Sequence, residues 1–498
     1  MKKVIAVLLS VILAFSVSAA AFAQDTDGKC DCGHVPVIYV TGFAQTNLAA
    51  NIGTDEQYEV FFPETDIILN CVKQLIIPLV MLFATGNYGR FEKSLAAAMN
   101  EMFRDVACDK NGNPLNDTVD IVYRDEPTAS HYAYTFSYFR YDWREDVFDI
   151  AAELNEYIEK TKALTGHDKV ALKAESMGGA VVMTYIYVYG SDSIDTLVMQ
   201  SSAYNGITLV GSLFKGDIDI KGKSVLNYIG NFLEGNRADM VLYRALLNTF
   251  GGLAVNPVSG VLNRLFSNVK DDLYADSLIP TIGWIPGIWT FVPYEDYEEA
   301  KAFIFDDELN AELIKKVDRY QYNVAAHRKE ILDKSLDSGM KLAIVSHYGK
   351  AGVPVNTYDS YQSDFLIDTA RTSFGAACAD YGKTLGDGYV QKINDGHNHL
   401  SCDGVIDAST CAYPEYTWFI KDMMHTWYTS GYLRFVFELI YCDEQPTIET
   451  FEKYPQFLVN NQETGSLDIL SSENENTQRT DVDFIAIIKL IADSIRNK

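Results

Sequence analysis

Ala174-Glu175-Ser176-Met177-Gly178-Gly179 sets a serine between a run that reads as a strand, residues 169–174, and a mostly apolar helical stretch, Met177–Tyr189. A serine lifted out of a tight strand-to-helix turn is a nucleophile elbow. That turn crowds strand against helix, so the residues two before and two after the serine must be small, and Ala174 and Gly178 are. The start of the helix favours negative charge on a forming oxyanion. A serine that only caps an ordinary helix also suits this position, but the flanking strand and helix favour the nucleophile. The chemistry implied is acyl transfer through a covalent acyl-enzyme.

Such a serine needs oxyanion donors, a base and an acid. The amide of Met177, directly after the serine, is one expected donor. Phe43 is the other, from the loop Thr41-Gly42-Phe43 that follows the apolar run 35–40, where Gly42 permits a sharp turn. This class of site orders its triad as serine, acid, histidine along the chain. His34, His131 and His167 precede the serine, His327 falls in a helical insertion, and His347 ends a strand. His425, beyond the last strand signals, is therefore the expected base. Asp403 and Asp387 share an Asp-x-x-aliphatic form; Asp403 is the expected acid because it is nearer His425, Asp387 is the alternative, and Asp407 a third. Those not used are turn aspartates. Asp395, His397 and His399 match no ligand spacing of a known metal site and read as a solvated loop, so neither metal nor cofactor is expected.

The elements that must position these groups follow the alternation of a parallel sheet. Runs 35–40, 134–138, 169–174, 196–200 and 341–346 read as strands, and 90–104, 147–164 and 177–189 as helices. Strand, helix, strand in this order builds βαβ units. The expected class is α/β, an α/β-hydrolase fold whose mostly parallel sheet is flanked by helices, with lid and helical cap insertions. The expected division is a leader over 1–23, the N-terminal part of the main domain over 24–205 with a lid at about 45–90, a cap over 206–340, the C-terminal part over 341–445, and an extension over 446–498. Residues 45–90 show no clear strand, 460–480 are polar and linker-like, and 482–495 form a last apolar helix.

Lys2 and Lys3, an apolar stretch and Ala21-Phe22-Ala23 form the pattern of a cleaved secretory signal, which predicts a secreted or extracytoplasmic protein with no transmembrane span in its mature part. The apolar run 75–83 is too short to cross a bilayer. A formal net charge of -27 disfavours nucleic acid and anionic lipid as partners, so contact with a lipid has to be apolar. Eight cysteines in an exported chain permit disulfides. Cys71–Cys108 and Cys402–Cys411 are the favoured pairs because each would staple a loop beside the proposed site.

Four places resemble the lecithin:cholesterol acyltransferase family of α/β-hydrolases: residues 36–43, Tyr141-Asp142-Trp143-Arg144, Ser176-Met177-Gly178-Gly179, and Gly283-Trp284-Ile285-Pro286 with Tyr348-Gly349. The resemblance implies Ser176 as nucleophile, Phe43 and Met177 as oxyanion donors, His425 as base with Asp403 or Asp387, and a lid over an acyl pocket. The chain departs from the family at Glu175, where histidine is usual, and at Ala174, where glycine is usual. The expected activity is hydrolysis of lipid esters, or transfer of their acyl group to an alcohol, with residues 75–83 and 284–289 shielding the acyl chain. The rivals are a non-catalytic secreted binding protein on the same fold, and a small-ester esterase or peptidase.

Overall fold

The computed structural model describes residues 30–471, apart from 61–92, 129–134, 229–258, 355–359 and scattered positions, chiefly within 95–102 and 225–272 but also 31 and 427. Its frame is an eight-stranded sheet in the spatial order Ser466–Ile469, Phe457–Asn461, Thr417–Lys421, Lys341–Tyr348, Ile194–Gln200, Val170–Glu175, Val37–Val40, Ser137–Phe139. All neighbours are parallel except the outermost pair, Phe457–Asn461 with Ser466–Ile469. Every residue of Val170–Glu175 is buried, as expected of a strand covered on both faces.

Helices Val147–Thr165 and Met177–Tyr189 cover one face, joining Leu154, Ala180 and Val181 to Ile38, Leu172 and Leu197 in one core. The first of them starts where Asp146 caps the Phe148 amide and ends at Gly166, which takes a left-handed φ of 71°. Helix Ser430–Ile440 covers the other face and buries Tyr432, Phe435 and Val436 against Val198, Val345 and Trp418. The molecule is an α/β protein with a mostly parallel sheet between helical layers.

Three departures from the sequence reading stand out. Residues 45–60 do contain strands: Leu48–Ala50 pairs antiparallel with Tyr58–Val60 and with Val119–Ile121. Residues 457–469, inside the presumed linker and extension, close one edge of the central sheet; the boundary at 446 therefore cuts through the main domain. Those strands are short, and only Leu458 and Asn460 of the first are buried, so its period-two signal is two residues long. In the expected cap, residues 206–340, Trp289 is an interior pillar rather than an acyl-chain lining. It is 1% exposed, donates from Nε1 to the Gly283 carbonyl at 2.9 Å, and stacks on Phe305. The expected leader, the run 75–83 with Cys71 and most of the expected lid, and the expected helix at 482–495 lie outside the described residues. Among the described residues no helix is long and apolar enough to cross a membrane.

Candidate active site

Ser176 stands between its strand and helix at φ 51° and ψ −122°, a left-handed φ that a residue with a Cβ adopts only under constraint. The constraint is visible on both sides of the turn. A Cβ on Gly178 would come within 2.4 Å of the Val40 carbonyl oxygen, one on Gly179 within 2.6 Å of Ser202 Cβ, and one on Gly42 within 2.8 Å of Ser176 Cβ. The Ser176 side chain makes no capping bond to the helix it precedes, which removes the helix-cap alternative. The loop after Val37–Val40 therefore lies directly against the serine.

His425 follows Thr417–Lys421 and is 8% exposed. Its Nδ1 lies 2.7 Å from Oδ2 of Asp364, and its backbone amide donates to the Asp364 carbonyl at 2.9 Å. Asp364 is fully buried, and its second oxygen accepts from the amides of Leu366 at 3.0 Å and Ile367 at 2.7 Å. The turn is completed by Phe365 at φ 89°, a strained value for an aromatic residue. Asp364 thus hangs from the short hairpin Lys350–Ala351/Gln362–Ser363 that follows strand Lys341–Tyr348. His425 lies close enough to Glu175, the residue before the serine, for their charges to interact. His347, in contrast, is wholly buried with Nδ1 on Ser201 Oγ at 3.0 Å.

None of the aspartates expected as the acid meets His425. Asp403 accepts from Lys421 Nζ at 2.9 Å and Tyr348 hydroxyl at 3.0 Å. Asp387 lies exposed in its glycine-rich loop. Asp407 caps the Ser409 amide and takes the Tyr389 hydroxyl. The partner of His425 is Asp364, a residue the sequence reading missed. Nearness along the chain misled; the usable signal was the strand 341–346, since the segment leaving it carries Asp364 to the sheet end where His425 arrives.

The cysteine expectation also changes. Cys411 is a buried free thiol and Cys402 Sγ lies 3.5 Å from the Leu470 carbonyl, so Cys402–Cys411 is not bridged. Cys71–Cys108 falls outside the described residues through Cys71.

Tyr141-Asp142-Trp143-Arg144 is a buttress for the loop bearing Phe43. The Tyr141 hydroxyl donates to the Thr41 carbonyl at 2.8 Å, and the Trp143 ring meets Phe43 edge-on at 4.5 Å. Arg144 is clamped by both carboxylate oxygens of Asp142 and reaches the Val119 carbonyl at 2.9 Å. From the cap, Pro286–Phe291 presses down on the same place. A Cβ on Gly287 would fall 2.0 Å from the Trp143 carbonyl oxygen and 2.9 Å from Met177 Cε. Phe43 and Met177, the expected donors, therefore sit together under segment 286–291 beside Ser176.

Glu175, the departure noted beside the serine, is wholly buried yet fully partnered. It bonds Lys173 Nζ at 3.2 Å, Gln45 Nε2 at 2.8 Å and the Tyr39 hydroxyl. Gln45 in turn accepts the Gly42 amide at 2.6 Å. Burial alone would raise the Glu175 carboxyl, but the Lys173 ammonium and the Tyr39 hydroxyl outweigh it and hold it below the usual carboxylate value.

Burial would likewise lower His425, yet the Asp364 charge and hydrogen bond win and raise it above 6.5, while Asp364 is held below 3.8. The His425 contribution to stability is complete below 6.5 and fades as pH rises through its raised value; that of Asp364 is complete above 3.8 and fades as pH falls through its lowered value. A base must be unprotonated to act, so kcat/KM for an ester is expected to rise with pH through a midpoint above 6.5. A pH–rate profile whose rising limb centres below 6.5 would contradict this.

No family model matches the chain, so the acyltransferase-family resemblance gains no support there, and no curated protein matches it. Among solved structures, a chain of the Tle4-Tli4 complex aligns over 36% of this chain and 48% of its own, at 16% identity and a TM-score of 0.19. The chain thus spans about half the length of that match. A serine hydrolase from the polyaromatic-hydrocarbon-degrading bacterium Cycloclasticus zankles aligns over 39% of this chain and 71% of its own, at 12% identity and a TM-score of 0.13. At these values the functional reading stands on the geometry alone.

Proposed function

We propose that this chain is a serine-dependent acyl-ester hydrolase or O-acyltransferase, with Ser176 as nucleophile, His425 as base and Asp364 as the residue that orients it. The observation that carries the reading is the pair His425 Nδ1–Asp364 Oδ2 at 2.7 Å, delivered by two adjacent strands to the sheet end where Ser176 stands strained out of its turn. Asp364 fixes the proton on Nδ1, which leaves Nε2 to take the Ser176 proton. Ser176 Oγ attacks the ester carbonyl, and the amides of Phe43 and Met177 hold the oxyanion. The alcohol leaves with the proton from His425, and water or a second alcohol then takes the acyl group. The finer reading is a lipid ester met outside the cytoplasm; it is supported by the leader-like residues 1–23 and by the resemblance of Tyr141–Arg144 and Ser176–Gly179 to lipid acyltransferases.

A fluorophosphonate probe tests the reading. It is expected to add one label per chain on Ser176, and the label is expected to vanish in Ser176→Ala. A folded protein that takes no label would favour the binding-protein alternative. In a series of p-nitrophenyl esters, activity rising from acetyl to long acyl chains supports the lipid reading, and a preference for acetyl supports a small-ester esterase.

A further inference from the structure

Gln456 donates from its amide nitrogen to the carbonyls of Pro414 at 2.7 Å and Thr417 at 3.1 Å. Its oxygen is therefore the atom that meets His399 Nδ1 at 2.8 Å. An amide oxygen only accepts, so Nδ1 carries the proton. Nε2 then faces Asp395 Oδ2, 2.9 Å away, and the His399 ring is wholly buried. That pair is satisfied either by a second proton on the ring or by a metal ion bound beside both atoms. A far ring nitrogen donating to a fixed oxygen while Nε2 faces a carboxylate matches the outer-sphere arrangement of a metal-bound histidine.

His397 lies beside the same carboxylate. His397 Nδ1 lies 4.0 Å from Asp395 Oδ1 and 3.4 Å from Glu415 Oε1. Ligand atoms of Asp395, His397 and His399 all fall within 4.8 Å of one another. Glu449 closes the outer side, 3.4 Å from His397 Nε2. We propose that Asp395, His397 and His399 form a binding site for a divalent cation, with two imidazoles and one carboxylate suited to Zn²⁺.

The site lies at the Thr417 end of strand Thr417–Lys421, and His425 follows the opposite end. The ion would therefore tie loop 391–400 together and take no part in ester chemistry. The sequence pattern concealed it because the orienting Gln456 comes from another segment.

The test is Zn²⁺ binding to the full chain after dialysis against a chelator, read by calorimetry and elemental analysis. One Zn²⁺ per chain and a raised melting temperature are expected. His397→Ala and Asp395→Asn, both outside the core, are each expected to weaken binding by at least about 10-fold. Wild-type protein that takes up no Zn²⁺ would overturn the proposal, because a proton would then bridge Nε2 and Oδ2. So would Zn²⁺ that is retained in both variants and lost in Cys32→Ser, because the ion would then belong to the Cys30, Cys32 and His167 cluster.

Discussion

Asp364→Asn is expected to lower kcat for a p-nitrophenyl ester by roughly 10³- to 10⁴-fold with little change in fold, because an amide in this place no longer holds the histidine in its working tautomer. Asp364 Oδ2 accepts the Nδ1 proton of His425 at 2.7 Å, while Oδ1 is fixed by two backbone amides. The carboxylate therefore has no freedom to turn and compensate. Asp403→Asn supplies the contrast. Its partners are Lys421 and Tyr348, so the substitution is expected to cost stability, about 1–3 kcal/mol, and to leave kcat within a few-fold of wild type. Steady-state rates beside near-ultraviolet circular dichroism separate the two effects. A severe rate loss in Asp403→Asn with a mild one in Asp364→Asn would return the acid role to Asp403.

That contrast also marks where the sequence was legible. The strands 35–40, 169–174, 196–200 and 341–346 are continuous apolar runs because both faces of a parallel sheet are covered, and each lies in the central sheet. The elbow was legible because crowding demands small residues at Ala174 and Gly178, and the Cβ test at Gly178 shows that crowding directly. The acid was not, because its position is set by a hairpin between Lys350–Ala351 and Gln362–Ser363, strands of two residues each with no periodicity to read. The edge strands beyond 457 were hidden for a related reason, since partial exposure leaves them polar and short. Glu175 looked like an added charge beside the nucleophile; only the fold shows that Lys173, two residues back on the same strand face, accompanies it into the core.

That pair sets the second large effect. Lys173→Met is expected to destabilise the protein by about 3–5 kcal/mol, the cost of leaving the Glu175 carboxylate uncompensated in the interior. Lys173 and Glu175 are 1% and 0% exposed, and the ammonium also sits 3.7 Å from the centre of the Tyr39 ring. The double variant Lys173→Met/Glu175→Leu removes both charges and is expected to recover most of the lost stability, because apolar replacement of a buried ion pair is often close to neutral. Activity is expected not to follow. Glu175 holds Gln45 at 2.8 Å and Gln45 holds the Gly42 amide at 2.6 Å, so the loop that carries Phe43 loses its anchor in any variant lacking the carboxylate. The double variant should therefore unfold in urea near the wild-type midpoint yet turn over ester more slowly, with KM little altered. Recovery of stability and kcat together would show that Glu175 merely neutralises Lys173 and does not position the loop beside Ser176.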